Sequence, residues 1–403
     1  MGKGPFTGIR VLDFTQFESG TACTETLAWL GAEVWKVERP ITGELGRHSV
    51  ANPDKDSVGF VIMNMNKKSI TCNLKSAEGA AIMKRLVEKV DIVVENMGPG
   101  SIERLGLGYE DCKKINNKII YASIKGFALE SPYANYPAFD PIATHTGGLV
   151  AATGLPDQPI KAGVSVADSG SGIICAMSIA AALFQRETQG VGQRIDVAMQ
   201  DFIIGLSRAG WEPLYETGKP PRRVGNGMPL EDVGPSNTYP CKPFGTNDYV
   251  HIYCSRHPGS KQFDNLCRLI GREDLLSDER FATPRSRFEF RHILDPIISD
   301  WTSKHTKHEA MDILANNDIP AGALLDTADI TNDPQYLERG MIVEVEHKEL
   351  GKLKLPGFAP RLSENHVEYK VSPGLGENND EVYRGILGLT QEEMQKLKND
   401  KVI

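Results

Sequence analysis

Within the first 125 residues, short apolar runs alternate with amphipathic stretches, and this restricts the chain more than any other feature. Ile9–Phe14 reads as a strand that ends in a polar loop, and a helix follows over about Cys23–Leu30 until Gly31 stops it. Glu33–Val37 is a second strand. Ser76 is placed to cap a helix reaching Lys89, with Ile82, Leu86 and Val90 on one face and Glu78 in the first turn. Asp91–Glu95 is nearly continuous in apolar residues, the signature of a strand covered on both faces. A helix over Tyr109–Ile115 and a strand over Ile119–Ile124 complete the series. Repeated strand–helix–strand units of this length predict an α/β fold, an open and mostly parallel Rossmann-like sheet.

Beyond Asn135 the pattern changes. A loop with Pro137 and Asp140 leads to Gly147-Gly148 and Gly154-Leu155-Pro156, and Val164–Gly172 runs into a helix over Ile173–Gln185. Gln193–Val197 reads as a strand and Asp201–Tyr215 as one helix. Residues 217–245 are rich in Pro and Gly, as a linker or active-site loop would be. Residues 246–325 predict a small domain of one or two strands and short helices, and from Ala328 short strands lead to a last helix, Gln391–Asn399. The division expected is a large domain from 1–215 and 328–403, a linker over 216–245, and a smaller inserted α+β domain over 246–327.

The residue content removes several function classes. A net charge of −8 argues against nucleic acid or an anionic membrane as main partner. The longest apolar stretch, Gly172–Phe184, is shorter than the roughly 18 residues of a membrane span, and the N-terminus lacks a signal-peptide core, so a cytoplasmic location is expected. Seven scattered cysteines without a C-x-x-C pair predict neither a disulfide framework nor a metal site. G-x-S-x-G, H-E-x-x-H and the G-x-x-x-x-G-K-[ST] phosphate loop are missing, and Phe14–Gly20 lacks G-x-G-x-x-G.

Asp168 stands out on its own. It ends an extended apolar run directly before a helix and is followed by Ser169-Gly170-Ser171-Gly172. One reading is a purely local helix cap, kept ionised by the positive helix end. The other is an approachable carboxylate, given room by its small neighbours, that attacks an activated acyl group.

Motifs spread over nearly the whole chain resemble the class III (formyl-CoA transferase-like) coenzyme A-transferases. They include Gly8–Thr15, Leu30–Glu38, Asn66–Ile70, Val94–Gly100, Arg104–Gly106 and Ser123–Gly126. Ala167–Gly172, Thr188–Gln193 and Ile319–Gly322 complete the set. The resemblance implies that Asp168 attacks an acyl-CoA thioester, passes through an aspartyl–acyl anhydride and an aspartyl–CoA thioester, and so conserves the thioester without ATP. Coenzyme A would enter as a thioester substrate, with no prosthetic group. By the same resemblance Phe17, Glu18 and Ser19 line its pantetheine end, Arg39 and Lys75 its nucleotide end, Asn96, Met97 and Arg104 the strand end and following turn, and Met199 lies near Asp168. The partners implied are an acyl-CoA, a carboxylic acid, and a second copy in an interlocked homodimer or a related chain in a heteromer.

Formyl-CoA transferase has Gln at Glu18 and His at Gln16, and its glycine-run loop is replaced here by Val224-Gly225-Asn226-Gly227-Met228. These departures point away from formate and oxalate. The central segment is similar to members acting on succinyl-CoA and benzylsuccinate. Arg222 and Arg223 read as exposed linker charge, with recognition of a second carboxylate as the alternative. An α-methylacyl-CoA racemase shares the fold but needs a His where Ala138-Phe139-Asp140 stands, and a non-catalytic CoA-binding subunit is opposed by the presence of Asp168.

Overall fold

A computed structural model describes residues 4–49, 52–227, 233–254 and 260–403. Contacts divide the chain into two compact units, one of residues 1–149, 162–206 and 334–403, the other of 150–161 and 207–333.

The first unit is built on a six-stranded sheet. Its strands are β1 (Arg10–Phe14), β2 (Glu33–Glu38), β3 (Lys68–Thr71), β4 (Ile92–Glu95), β5 (Ile120–Lys125) and β6 (Gln193–Ala198). All neighbours pair in parallel in the order β3-β2-β1-β4-β5-β6. Along each strand successive side chains serve opposite faces. Leu12, Phe14, Trp35, Val93 and Tyr121 enter one core, and Val11, Val34, Ile92, Val94 and Ala122 the other. Burial on both sides is why these strands read as unbroken apolar runs.

Helix α1 (Ser19–Trp29) starts a full turn before the expected Cys23, because Ser19, Gly20, Thr21 and Ala22 are buried small residues that carry no apolar signal. Helix α2 (Ala77–Val87) opens on the expected cap, with Ser76 Oγ accepting from Gly79 N. Helices α3 (Tyr109–Ile115) and α4 (Asp140–Thr146) follow. Helix α5 (Val166–Gln189) is long and apolar enough by length and composition to cross a membrane, yet eight of its residues are buried in this unit. The single helix expected over Asp201–Tyr215 is two: α6 (Met199–Leu206) and a separate Trp211–Thr217. Ser207 and Gly210, poor helix formers, occupy the break.

In the second unit β7 (Ser236–Pro240), β8 (Tyr249–Tyr253) and β9 (Ala321–Ala323) form an antiparallel sheet. Helices α7 (Gln262–Leu269), α8 (Arg291–Thr302) and α9 (Lys307–Ala315) close a core around Tyr239, Ile252, Phe263, Leu294 and Leu314. The returning segment of the first unit forms the hairpin β10 (Ile342–His347) and β11 (Gly351–Pro356) and ends in α10 (Gln391–Asn399), capped by a Thr390–Glu393 box. That segment also covers the β3 edge. Asn378 and Asn379 accept from the backbone of Ser69 and Thr71, and Tyr383 donates to Thr71 O. Such cover prevents edge-to-edge pairing. All seven cysteines are buried thiols.

Candidate active site

In an open parallel sheet, ligands settle beyond the carboxyl ends of the strands where the strand order reverses. Here that point lies between β1 and β4, and two adjoining cavities occupy it. The inner one, about 360 Å³, has Asp168 in its wall; the outer one, about 720 Å³, is ringed by basic residues. Gln16, Arg39, Met97 and Gly98 belong to both.

The loop after β1 is held in an uncommon conformation. Phe17 has φ +58°, a left-handed backbone that a bulky residue adopts only when its surroundings impose it. Asn96, at the end of β4, accepts from Gln16 N and donates to Gln16 O, both at 2.8 Å, and to Ser19 Oγ at 3.1 Å. Beneath the loop lies a buried charge network. Lys36 Nζ donates to Thr15 O and Lys67 Nζ to Thr21 O. Lys36 pairs with Glu44 at 2.5 Å, and Lys67 with Asp13 at 3.3 Å. Arg47 spans Glu38 and Asp56 at 2.6 and 2.8 Å. The loop therefore rests on ionic supports fixed to β1 and β2.

Asp168 lies within α5, two residues after its first residue Val166, and does not cap it. The cap comes from Asp140 of α4, whose Oδ2 accepts from Ala167 N at 2.7 Å and Asp168 N at 3.3 Å. Among the described residues nothing donates to the Asp168 carboxylate. Burial first, then the nearby carboxylates of Glu18 and Asp140, push its pKa up to about 7. The expectation of a helix end holding it ionised is thus overturned, since Asp140 has taken those N–H groups. The following small residues serve packing. A Cβ on Gly172 would stand 2.4 Å from Ser19 O of α1, and one on Gly170 would stand 2.2 Å from the Phe202 ring. Ser169 Oγ donates to Glu18 Oε1 at 2.6 Å, which turns Glu18 toward α5.

Of the residues expected at the site, Phe17, Glu18, Ser19, Arg39, Asn96, Met97, Met199 and Asp168 line the inner cavity. Arg39, Lys75, Met97 and Arg104 line the outer one. Arg39, Lys75 and Arg104 are exposed, and none forms an ion pair with a described residue. Both polar ends of Asn96 are committed to the β1 loop. Arg223 donates to the carbonyls of Ala151, Leu155 and Pro156, so its guanidinium supports the segment over residues 151–156. Met228, part of the expected replacement loop, lies outside the described residues.

Sequence reasoning passed over the far wall of the inner cavity, formed by Phe127, Tyr136 and Phe139. Phe127 meets Tyr136 edge-on at 6.1 Å, and Tyr136 and Phe139 are more than half exposed. Four aromatics within thirteen residues, Phe127 to Phe139, were the available signal. Asp140 was noticed only as half of a missing acid–base pair, because its partners are 27 and 28 residues away.

A Rossmann-order sheet, an outer cavity with Arg39, Lys75 and Arg104 in its wall, and an inner one holding the Asp168 carboxylate suit an elongated anionic ligand. The chain belongs to CoA-transferase family III, whose sequence profile matches residues 6–379. It is 39% identical over 412 residues to the formyl-CoA:oxalate CoA-transferase of Streptomyces coelicolor, covering 98% of both chains. It is 36% identical over 405 residues to that of Bradyrhizobium diazoefficiens, covering 96% of this chain and 95% of the relative. A solved CAIB/BAIF family protein from Brucella suis superposes with TM-score 0.84 at 31% identity, covering 96% of this chain and all of that one. The chain is accordingly a class III acyl-CoA:carboxylate CoA-transferase.

Proposed function

We propose that the enzyme moves coenzyme A from an acyl-CoA donor to a carboxylic acid through covalent intermediates on Asp168. The observation that carries this is the unbonded carboxylate of Asp168 in the inner cavity, which shares Gln16, Arg39, Met97 and Gly98 with an outer cavity of about 720 Å³ that has Arg39, Lys75 and Arg104 in its wall. The ionised carboxylate attacks the thioester carbonyl, the C–S bond breaks, and CoA leaves as thiolate. The thiolate attacks the aspartyl carbonyl of the anhydride and expels the donor acid, leaving an aspartyl–CoA thioester. The acceptor carboxylate attacks that thioester, and the released thiolate then takes the acceptor acyl group and frees Asp168. Each bond broken is matched by one formed, so no nucleotide or net proton is consumed. Phe17, Glu18, Ser19 and Met199 surround the reacting end. Arg39, Lys75 and Arg104 hold the nucleotide phosphates by charge-assisted bonds. Asn96 and Met97 form the waist between them.

The aromatic wall supports an acceptor with an aromatic or extended apolar body, such as a substituted succinate, with succinyl-CoA as donor. The names of the relatives favour a second reading, formyl-CoA and oxalate. Chromatographic assay of succinyl-CoA and formyl-CoA against oxalate, succinate and aryl-substituted acids separates them. Turnover confined to formyl-CoA and oxalate would overturn the first. A racemase reading lacks its second proton carrier, since Phe139 cannot hold a proton and Asp140 is committed to capping α5.

Because only the ionised Asp168 attacks, kcat/KM is expected to rise with pH through about 7. Glu18→Gln keeps an acceptor for Ser169 and removes one neighbouring charge. It should move that limb to lower pH by roughly one unit; an unmoved limb would exclude Glu18 as its cause.

Ile173, Met177 and Phe184 form an exposed apolar stripe on α5 that suits a second copy. We read the enzyme as cytoplasmic and, with that stripe in support, as an interlocked homodimer or a heteromer with a related chain; light scattering with intact mass would test the assembly, and a monomer would refute both forms of it.

A further inference from the structure

We infer that Lys401 is a fourth phosphate-binding cation of the outer cavity and holds the nucleotide end of coenzyme A together with Arg39, Lys75 and Arg104. This rests on the coenzyme A reading of the cleft. Lys401 belongs to the wall of that cavity and is exposed there, with no ion pair to any described residue. The one carboxylate in the wall, Glu44, is spent on Lys36. Four unneutralised cations around one cavity mark a polyanion site. The diphosphate and 3′-phosphate of coenzyme A together carry about four negative charges near neutral pH.

The backbone supplies an independent observation. Helix α10 ends in a two-bond closure in which Val402 N donates to Leu397 O at 2.8 Å and Lys401 N to Lys398 O at 3.0 Å. The residue between such bonds is left-handed and is usually glycine, which has no Cβ to clash. Here it is Lys401, at φ +55°. A long basic side chain therefore stands where the backbone alone favours none. The turn is also fixed to the cavity, because Asn73 N, from the wall beside Lys75, donates to Val402 O at 2.7 Å.

The test uses Lys401→Gly and Lys401→Arg in the full chain, with CoA binding measured by titration calorimetry and donor kinetics alongside. Lys401→Gly relieves the left-handed strain, so it should raise the unfolding midpoint while weakening CoA binding and raising the donor KM roughly fivefold at retained kcat. Lys401→Arg should restore binding. A stabilised Lys401→Gly enzyme with unchanged CoA affinity would overturn the inference. If Arg39→Ala and Lys75→Ala also leave the affinity unchanged, the coenzyme A reading of the cleft has failed as well; if they weaken it and Lys401→Gly does not, only the role of Lys401 has.

Discussion

Asp168→Asn and Asp168→Ala should each lower CoA transfer by at least about 10³-fold, the scale expected when a covalent nucleophile is removed. Folding should survive both. The carboxylate accepts no hydrogen bond among the described residues, and the backbone N–H at this position is held by Asp140 whatever the side chain. The folded pKa, pushed up to about 7 by burial and two neighbouring carboxylates, adds a second expectation. A carboxyl group harder to ionise folded than unfolded destabilises the fold progressively as pH rises from its ordinary value, near 4, to its folded value. The Asn variant should therefore unfold at a higher temperature than wild type at pH 8, with the gap closing toward pH 4. Hydroxylamine or intact-mass trapping should reveal a donor-derived adduct on the wild type alone. An active Asp168→Ala enzyme would remove the mechanism.

Arg47→Met should cost about 3–5 kcal/mol of stability, the usual penalty for leaving buried charges without their partner. Arg47 is 1% exposed, grips both oxygens of Glu38 at 2.6 and 2.8 Å, reaches Asp56 at 2.8 Å and Pro373 O at 3.2 Å, and lies 4.0 Å over the Phe60 ring. Burial alone would raise the Glu38 pKa; the bonds and charge of Arg47, together with the Lys36 charge and the Ser69 hydroxyl, outweigh it and hold the carboxyl below its ordinary value. The stability from that pairing is complete above the unfolded carboxylate pKa and is lost as pH falls through the lower folded value. The mutational penalty should accordingly be full at pH 7 and shrink in strong acid. Denaturant midpoints at the two pH values measure it; a loss below about 1 kcal/mol at pH 7 would show that the network is not a support of the fold.

These residues show why sequence revealed the sheet but not its interior chemistry. Val34-Trp35-Lys36-Val37-Glu38 reads as a strand from its apolar members, and it is one. Nothing in that pentapeptide says that Lys36 and Glu38 are buried, because their partners Glu44, Arg47 and Ser69 arrive through loops and a neighbouring strand. Asp168 was singled out by its setting, and it does line a cavity. Its neighbours suggest a local cap, yet the cap comes from Asp140 on α4, which local spacing cannot reveal. Ser19–Ala22 hid the first turn of α1 for a different reason, since buried small residues leave no hydrophobic period. The aromatic wall was visible as composition, but only the fold turns Phe127, Tyr136 and Phe139 toward one cavity.

The cover of the β3 edge bears on how the chain is made. Ser69 and Thr71 find their side-chain partners 309 and 308 residues later. At ribosomal speeds of about 5–20 residues per second, a sheet edge finished early waits roughly 15–60 s before Asn378 and Asn379 emerge. For that interval the nascent chain presents bare backbone donors and acceptors to any strand nearby. Synthesis, more than the finished enzyme, is where this architecture is most exposed to mispairing.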